Sequence, residues 1–175
     1  MLRDISLTRH FQGHFRTAVS TKPAGEIVEI ATLPRGLDIL VAEDNLLNQR
    51  VVSRLLEKQG CRVRLVNNGS EAVSAVSATG GERFDLILMD VQMPEMDGLQ
   101  ATSRIREREK ADGGGRIPIL ALTAYAMKGD AERCKAAGMD GYVSKPVQPE
   151  ELYRTILQLL AKPHRTPPVT AQDRP

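Results

Sequence analysis

The sequence predicts a doubly wound α/β fold, with five parallel strands in one sheet and helices on both faces. Two observations and a rule predict it. Short apolar runs alternate with stretches of helical periodicity five times along the chain. Three of those runs, in LDILVA, FDLILM and IPILALTA, are almost continuously apolar, as strands of a parallel sheet covered on both sides must be. Right-handed crossovers between such units then wind the helices onto both faces of an open sheet.

Each element has its own justification. LDILVAEDN is an apolar run that ends in acids, and reads as the first strand. LLNQRVVSRLLEKQG follows as a helix: Leu47, Val51 and Leu55 recur every four residues with Val52 and Leu56 beside them, and Gly60 suits the stop. RVRLV is the second strand, and SEAVSAVSA a short helix with Ser70 as its expected cap. FDLILMD is the third strand. GLQATSRIREREK is a helix closed by the Gly113–Gly114–Gly115 run, and its REREK end is expected to lie in solvent. IPILALTA is the fourth strand, before the helix MKGDAERCKAAG. GYVSKPV is the fifth, before PEELYRTILQLLAK, whose Leu152, Ile156 and Leu160 share a face.

At 175 residues the chain has room for one domain with a real core, plus tails. The domain is expected over residues 37–162. Residues 1–36 read as an N-terminal linker or extension, in which EIVEIATL is either a strand or a linker piece. Residues 163–175, with four prolines in KPHRTPPVTAQDRP, read as a disordered tail too short for a DNA-binding domain.

Charge and composition exclude several classes. Residues 36–162 carry 17 lysines and arginines against 18 acids, so the basic excess of the whole chain (+2) lies in the ends, and the domain has no nucleic-acid footprint. Aromatic residues are 3% with no tryptophan, which argues against a stacking platform for single strands. No apolar run approaches a membrane span, and MLRDISLTRHFQGHF lacks the apolar centre of a signal peptide. Cys61 and Cys134 fit neither a metal spacing nor a disulfide framework, which points to a reducing, cytoplasmic setting and to plain packing roles. His10 and His14 are four apart, but no third ligand and no four-helix pattern accompanies them; His164 is isolated.

The chemistry gathers where such sheets keep their sites, outside the carboxyl ends of the strands. Glu43 and Asp44 follow the first strand, Asp90 ends the third, Thr123 the fourth and Lys145 the fifth. Asp90 stands among apolar neighbours from Leu86 to Val91, where a carboxylate is costly to desolvate without compensation. Three clustered acids repel one another unless a hard divalent cation joins them, and Mg²⁺ suits two carboxylates, a carbonyl and waters. Such a group suits phosphoryl transfer, with Asp90 as nucleophile and with Lys145, Thr123 and the metal neutralising charge on the phosphoryl oxygens. Asn45 and Asn48 are expected to cap or to face solvent.

The motifs VAEDN, LMDVQMPEMDG, ALTA and YVSKP, in this order on these elements, resemble the receiver domain of two-component response regulators, with a flavodoxin-like sheet. EDNLLNQRVV is most similar to receivers fused to hybrid sensor histidine kinases. The resemblance covers about residues 37–162 and implies roles position by position. Asp90 matches the phosphoacceptor. Asp44 matches a direct Mg²⁺ ligand and Glu43, standing where the family more often has Asp, one that acts through water. Gln92 would offer its backbone carbonyl to the metal. Thr123 matches the switch hydroxyl, Lys145 the phosphate-contacting lysine, and Tyr142 the aromatic that changes rotamer on activation. Pro146 matches a proline that follows a cis peptide bond in the family. Gln92 and Tyr125 flank the acceptor and are expected to tune hydrolysis.

The implied function is a signalling module rather than an enzyme, which takes a phosphoryl group from a histidine kinase or a histidine phosphotransfer domain. It would bind neither nucleic acid nor membrane directly and is expected to be a monomer, and the parent chain is expected to be a hybrid kinase. Two alternatives compete. An aspartyl-nucleophile phosphatase of the haloacid dehalogenase type needs a second acid two residues past the nucleophile, where this chain has Gln92. A degenerate receiver that only binds partners is disfavoured by the complete set of acids, threonine and lysine.

Overall fold

A computed structural model describes the backbone of residues 18–20 and 28–30, and residues 31–77, 83–113, 115–124 and 128–161. The chain divides into two compact units, with the boundary between Thr32 and Leu33. In the first, β1 (Ala18–Ser20) pairs antiparallel with β2 (Val28–Ile30), Val19 opposite Glu29. Of the two readings of EIVEIATL, the strand is the one observed over Val28–Ile30; its partner at Ala18–Ser20 carries no pattern that marked it.

The second unit holds the five strand–helix pairs: β3 (Asp38–Ala42), α1 (Leu46–Lys58), β4 (Arg62–Val66), α2 (Gly69–Ser77), β5 (Leu86–Asp90), α3 (Gly98–Asp112), β6 (Ile119–Thr123), α4 (Lys128–Ala137), β7 (Gly141–Ser144) and α5 (Pro149–Leu160). All strand pairs are parallel, in the order β4-β3-β5-β6-β7. This is the doubly wound five-stranded sheet that the alternation predicts.

Burial explains why some strands read so clearly. β5 and β6 are buried at every position and β3 at all but its first. Each large apolar side chain fully buried there contributes about 1.5–3 kcal/mol. β4 and β7 are edges, and their sequences RVRLV and GYVS are correspondingly mixed. Leu40, Ala42, Ile87, Met89, Ile119 and Ala121 pack on one face against α2, α3 and α4 through Ala72, Ala101, Ile105 and Cys134. The alternate residues Ile39, Val41, Leu86, Leu88, Leu120 and Leu122 are just as buried, on the face of α1 and α5. A bond from the Tyr153 hydroxyl to the Leu55 carbonyl, 2.9 Å, ties those two helices together.

Three local expectations are corrected. First, α1 turns Gln49, Val52, Ser53 and Leu56 to the sheet, so the Leu47–Val51–Leu55 stripe is displaced outward; Leu47 is 69% and Val51 45% exposed. Two apolar stripes one residue apart compete on this helix, and burial of Gln49 goes with the Val52–Leu56 side. Second, Ser70 does not cap α2. Asn68 does, its Oδ1 accepting from the Glu71 N–H at 2.8 Å, because Ser70 already lies inside the first turn. Third, REREK is not a solvated end throughout. Arg106 is 6% exposed, drawn inward by carboxylates from Glu109 at 2.6 Å and Asp140 at 2.8 Å.

Helix ends otherwise follow the sequence. Gly60, at φ 83, takes the left-handed residue after α1 that a side chain would strain, and Gly113 is the C-cap of α3. Cys61 and Cys134 are buried free thiols. Burial, helped by the charge of Asp85, pushes the Cys61 thiol up to about 11. Native protein at pH 8 should therefore react with a thiol reagent at Cys61 far more slowly than urea-unfolded protein, since the thiolate is the reactive form; equal rates would contradict the buried placement.

Candidate functional site

Parallel pairing brings the carboxyl ends of β3, β5, β6 and β7 to one edge of the sheet. Glu43 and Asp44 stand just past β3, Asp90 ends β5, Thr123 ends β6, and Lys145 follows β7. One carboxylate oxygen from each of Glu43, Asp44 and Asp90 lies within 4.8 Å of the other two. The Lys145 ammonium sits 2.5 Å from Asp90 Oδ2 and 2.7 Å from Glu43 Oε2. The structure thus brings together the acids and the lysine that the sequence singles out, with Asp44 alone among the acids exposed.

Asp90 is 4% exposed and Glu43 fully buried. Burial is the main influence on Asp90 and holds its carboxyl above the usual carboxylate range. The Lys145 bond opposes this, the charge of Glu43 adds to it, and the Gln92 N–H, 3.1 Å from Oδ1, opposes it again. Burial also works against the charge on Lys145, but its bonds to Asp90 and Glu43 outweigh that and raise its pKa. One ammonium thus serves two buried carboxylates, and the exposed Asp44 adds a third negative charge. A hard cation with oxygen ligands fits this donor set: three carboxylates with an excess of negative charge, one of them open to solvent.

The surroundings are tightly built. Asn45 caps α1, its Oδ1 accepting from the N–H groups of Leu47 and Asn48 at 2.9 and 3.2 Å, as expected. Asn48 does more than face solvent: its Nδ2 donates to Glu43 Oε1 at 2.9 Å. Thr123 is 5% exposed, and its carbonyl accepts from the Lys145 N–H at 2.7 Å, which fixes β6 against the lysine. The Lys145–Pro146 peptide is cis. Tyr142 points outward from β7, 44% exposed. Tyr125, His10, His14 and His164 lie outside the described residues. Asp44, Gln92, Thr123 and Met93 help line an open cleft of about 530 Å³ beside the acids, to which Asp130 and Arg133 of α4 also contribute.

Gly98 sets how closely α3 approaches the strand. A Cβ there would lie 2.1 Å from the Asp90 carbonyl oxygen and 2.9 Å from Met89 Cγ. Asp97 caps the same helix through the Gln100 N–H at 2.8 Å. Gly98→Ala is therefore expected to cost about 2–3 kcal/mol in urea unfolding, the scale of overpacking a tight site. An unchanged midpoint would mean that helix and strand are not so close.

The chain belongs to the response regulator receiver domain family, whose model matches residues 39–157. Among its relatives, hybrid signal transduction histidine kinase I of Dictyostelium discoideum is 44% identical over 126 residues, 71% of this chain but only 7% of that protein. Among solved structures, the receiver domain of sensor histidine kinase PA1611 from Pseudomonas aeruginosa PAO1 is 43% identical. It matches with TM-score 0.63 over 73% of this chain and 99% of that one, and holds a magnesium ion in its active site cleft. The receiver domain of the Saccharomyces cerevisiae response regulator Ssk1, solved with the histidine phosphotransfer protein Ypd1, is 30% identical, TM-score 0.67, over 73% of this chain and 91% of that one. The chain is thus a receiver domain of the phosphorelay type, a signalling module, similar to receivers within hybrid histidine kinases. No helix among the described residues is long and apolar enough to cross a membrane.

Proposed function

We propose that this domain accepts a phosphoryl group on Asp90 from the phosphohistidine of a kinase or histidine phosphotransfer domain, and passes the change on as a shift in surface. The observation that carries the reading is the cluster itself: three carboxylates within 4.8 Å and one ammonium against two of them, at the strand ends of a receiver fold.

In this reading Asp44 and Asp90 hold Mg²⁺ with the Gln92 carbonyl, and Glu43 acts through water. The bound ion would supply positive charge to offset the phosphoryl oxygens. The chain's own groups do the rest. Asp90 is held at both oxygens, by the Gln92 N–H and by Lys145, which restricts its rotation and orients it for attack. One carboxylate oxygen forms the O–P bond as the P–N bond to the donor imidazole breaks, and the electron pair of that bond returns to the ring nitrogen. Lys145 then pairs with a phosphoryl oxygen, and Thr123 donates its hydroxyl to another.

The added group carries about −1.5 to −2 charges. Thr123 moves toward it, and the exposed Tyr142 turns inward into the space released, altering the face formed by β6, α4 and β7. Leu46, Leu47 and Val51, exposed on α1 beside the acids, offer an apolar patch for the phosphohistidine partner. A cytoplasmic setting, action as a monomer and a place inside a hybrid kinase belong to the same reading.

Metal removal tests the acid cluster. Millimolar Mg²⁺ should raise the thermal midpoint of the wild type, since binding at 100 times Kd stabilises by about 2.7 kcal/mol. Asp44→Asn should weaken Mg²⁺ by about tenfold or more and flatten that rise. An equal rise in both proteins would remove Asp44 from the site. For the function as a whole, the test is transfer of label from phosphorylated histidine phosphotransfer domains, with Mg²⁺ or with EDTA: transfer only with Mg²⁺ is expected, and none from any donor would contradict the reading.

A further inference from the structure

Gln49 is a polar side chain on the buried face of α1, only 5% exposed. Its Nε2 donates to the Glu43 carbonyl at 2.6 Å and to Asn67 Oδ1 at 3.1 Å. A carboxamide nitrogen has two protons, so both are committed. Asn67 is itself held, its backbone N–H and its Nδ2 donating to Glu71 Oε2 at 2.8 and 3.1 Å. The next residue, Asn68, is buried as well, and besides capping α2 it donates Nδ2 to Glu95 Oε2 at 3.3 Å. Glu95 stands at φ 64, a left-handed conformation uncommon for a residue with a side chain. The neighbouring Gly69 N–H reaches the Met96 carbonyl at 3.1 Å.

The turn between β4 and α2 therefore grips two segments. On one side, through Gln49, it holds the backbone of Glu43 just before Asp44. On the other, through Asn68 and Gly69, it holds the loop after Asp90 that contains Gln92. Resting on the reading above, these are the two segments that supply the metal ligands beside Asp90 itself.

We infer that Gln49, with Asn67 and Asn68, is a positioning brace for the metal site, setting the acidic turn and the Gln92 loop at the separation Mg²⁺ requires. Mg²⁺ demands near-octahedral geometry at short distances, so small displacements of its ligands weaken it disproportionately. Groups that orient ligands without touching the ion typically change affinity 10–100-fold when removed. The exposed Asn45 makes no comparable link, since both of its side-chain bonds stay within the first turn of α1.

The experiment compares wild type, Gln49→Met and Asn67→Ala in the full chain, by calorimetric titration with Mg²⁺ alone and by labelling rate from acetyl phosphate across Mg²⁺ concentrations. Gln49→Met keeps the size and loses both donors. It should raise the Mg²⁺ Kd about tenfold, with the labelling rate restored to near wild type at saturating metal. Asn67→Ala alters an exposed residue and breaks one of the two Gln49 bonds, so it should raise Kd about threefold with its circular dichroism spectrum unchanged. If Gln49→Met fails to fold, Asn67→Ala decides alone. Wild-type Kd in the folded variants, or a rate that saturating Mg²⁺ does not restore, overturns the brace. If wild type itself neither binds Mg²⁺ nor takes label, the functional reading falls, and the brace with it.

Discussion

Asp90→Asn is expected to lower phosphoryl labelling by about a thousandfold or more, the scale of losing a nucleophile. An amide oxygen is a poor nucleophile toward phosphorus, and no other described acid takes its place. Asp44 is exposed and Glu43 is engaged by Lys145 at 2.7 Å and by Asn48 at 2.9 Å. The loss should not come from unfolding. The substitution removes one of three clustered negative charges, and Lys145 keeps Glu43 as partner. Thermal stability without metal should therefore hold or rise, since a buried carboxylate in like-charged company is costly. Mg²⁺ should bind more weakly for want of one ligand. Labelling at the wild-type rate in this variant would mean that another residue is the acceptor.

Arg106→Leu is expected to be the most destabilising change outside the site. The Arg106 guanidinium meets the carboxylates of Glu109 and Asp140 and the carbonyls of Gly138 and Ile117, all between 2.6 and 2.9 Å. Asp140 also accepts from the Ile119 N–H at 2.9 Å, and Glu109 from the Ile117 N–H at 2.8 Å. One residue of α3 thereby locks the start of β6 and the link between α4 and β7. Leucine would strip the nearly buried Glu109 carboxylate and the Ile117 carbonyl of this partner, while Arg116 still meets Asp140 at 2.7 Å and the Gly138 carbonyl at 2.8 Å, a loss of about 3 kcal/mol. A domain of this size has about 5–15 kcal/mol in all, so the urea midpoint should fall by about 2 M. Arg108→Leu is the control. Its guanidinium is half exposed and 3.5 Å from Asp112, so its effect should stay within about 0.5 kcal/mol. Similar midpoints for the two variants would contradict the network.

What the sequence discloses, and what it hides, follows from how far apart the deciding contacts lie. β3, β5 and β6 are legible because burial on both faces demands continuous apolar runs. Asp90 is legible because a carboxylate closing such a run calls for a reason, and strand ends are where parallel sheets keep their sites. The rotation of α1 is not legible, because Val51 and Val52 offer two stripes and the choice depends on which side chain meets the sheet. Arg106 is hidden by its neighbours: in REREK it looks like any solvated charge, and its partner Asp140 is 34 residues away. Gln49 is hidden for the same reason, since Asn67 lies 18 residues on. A glutamine on the side of the helix that also carries Val52 and Leu56 was the one signal available. Asn68 could have been found by looking two residues earlier than Ser70 for the cap, since Asn is as favoured there as Ser.

The most direct test of the central claim is to locate the phosphoryl group. The protein would be labelled from a phosphorylated histidine phosphotransfer domain in Mg²⁺, reduced with borohydride, digested and sequenced by mass spectrometry. An acyl phosphate on a carboxylate reduces to an alcohol, so homoserine in place of Asp90, and only in the labelled sample, is the predicted result. Homoserine at another position, or label surviving on a histidine or serine with Asp90 intact, would contradict the account.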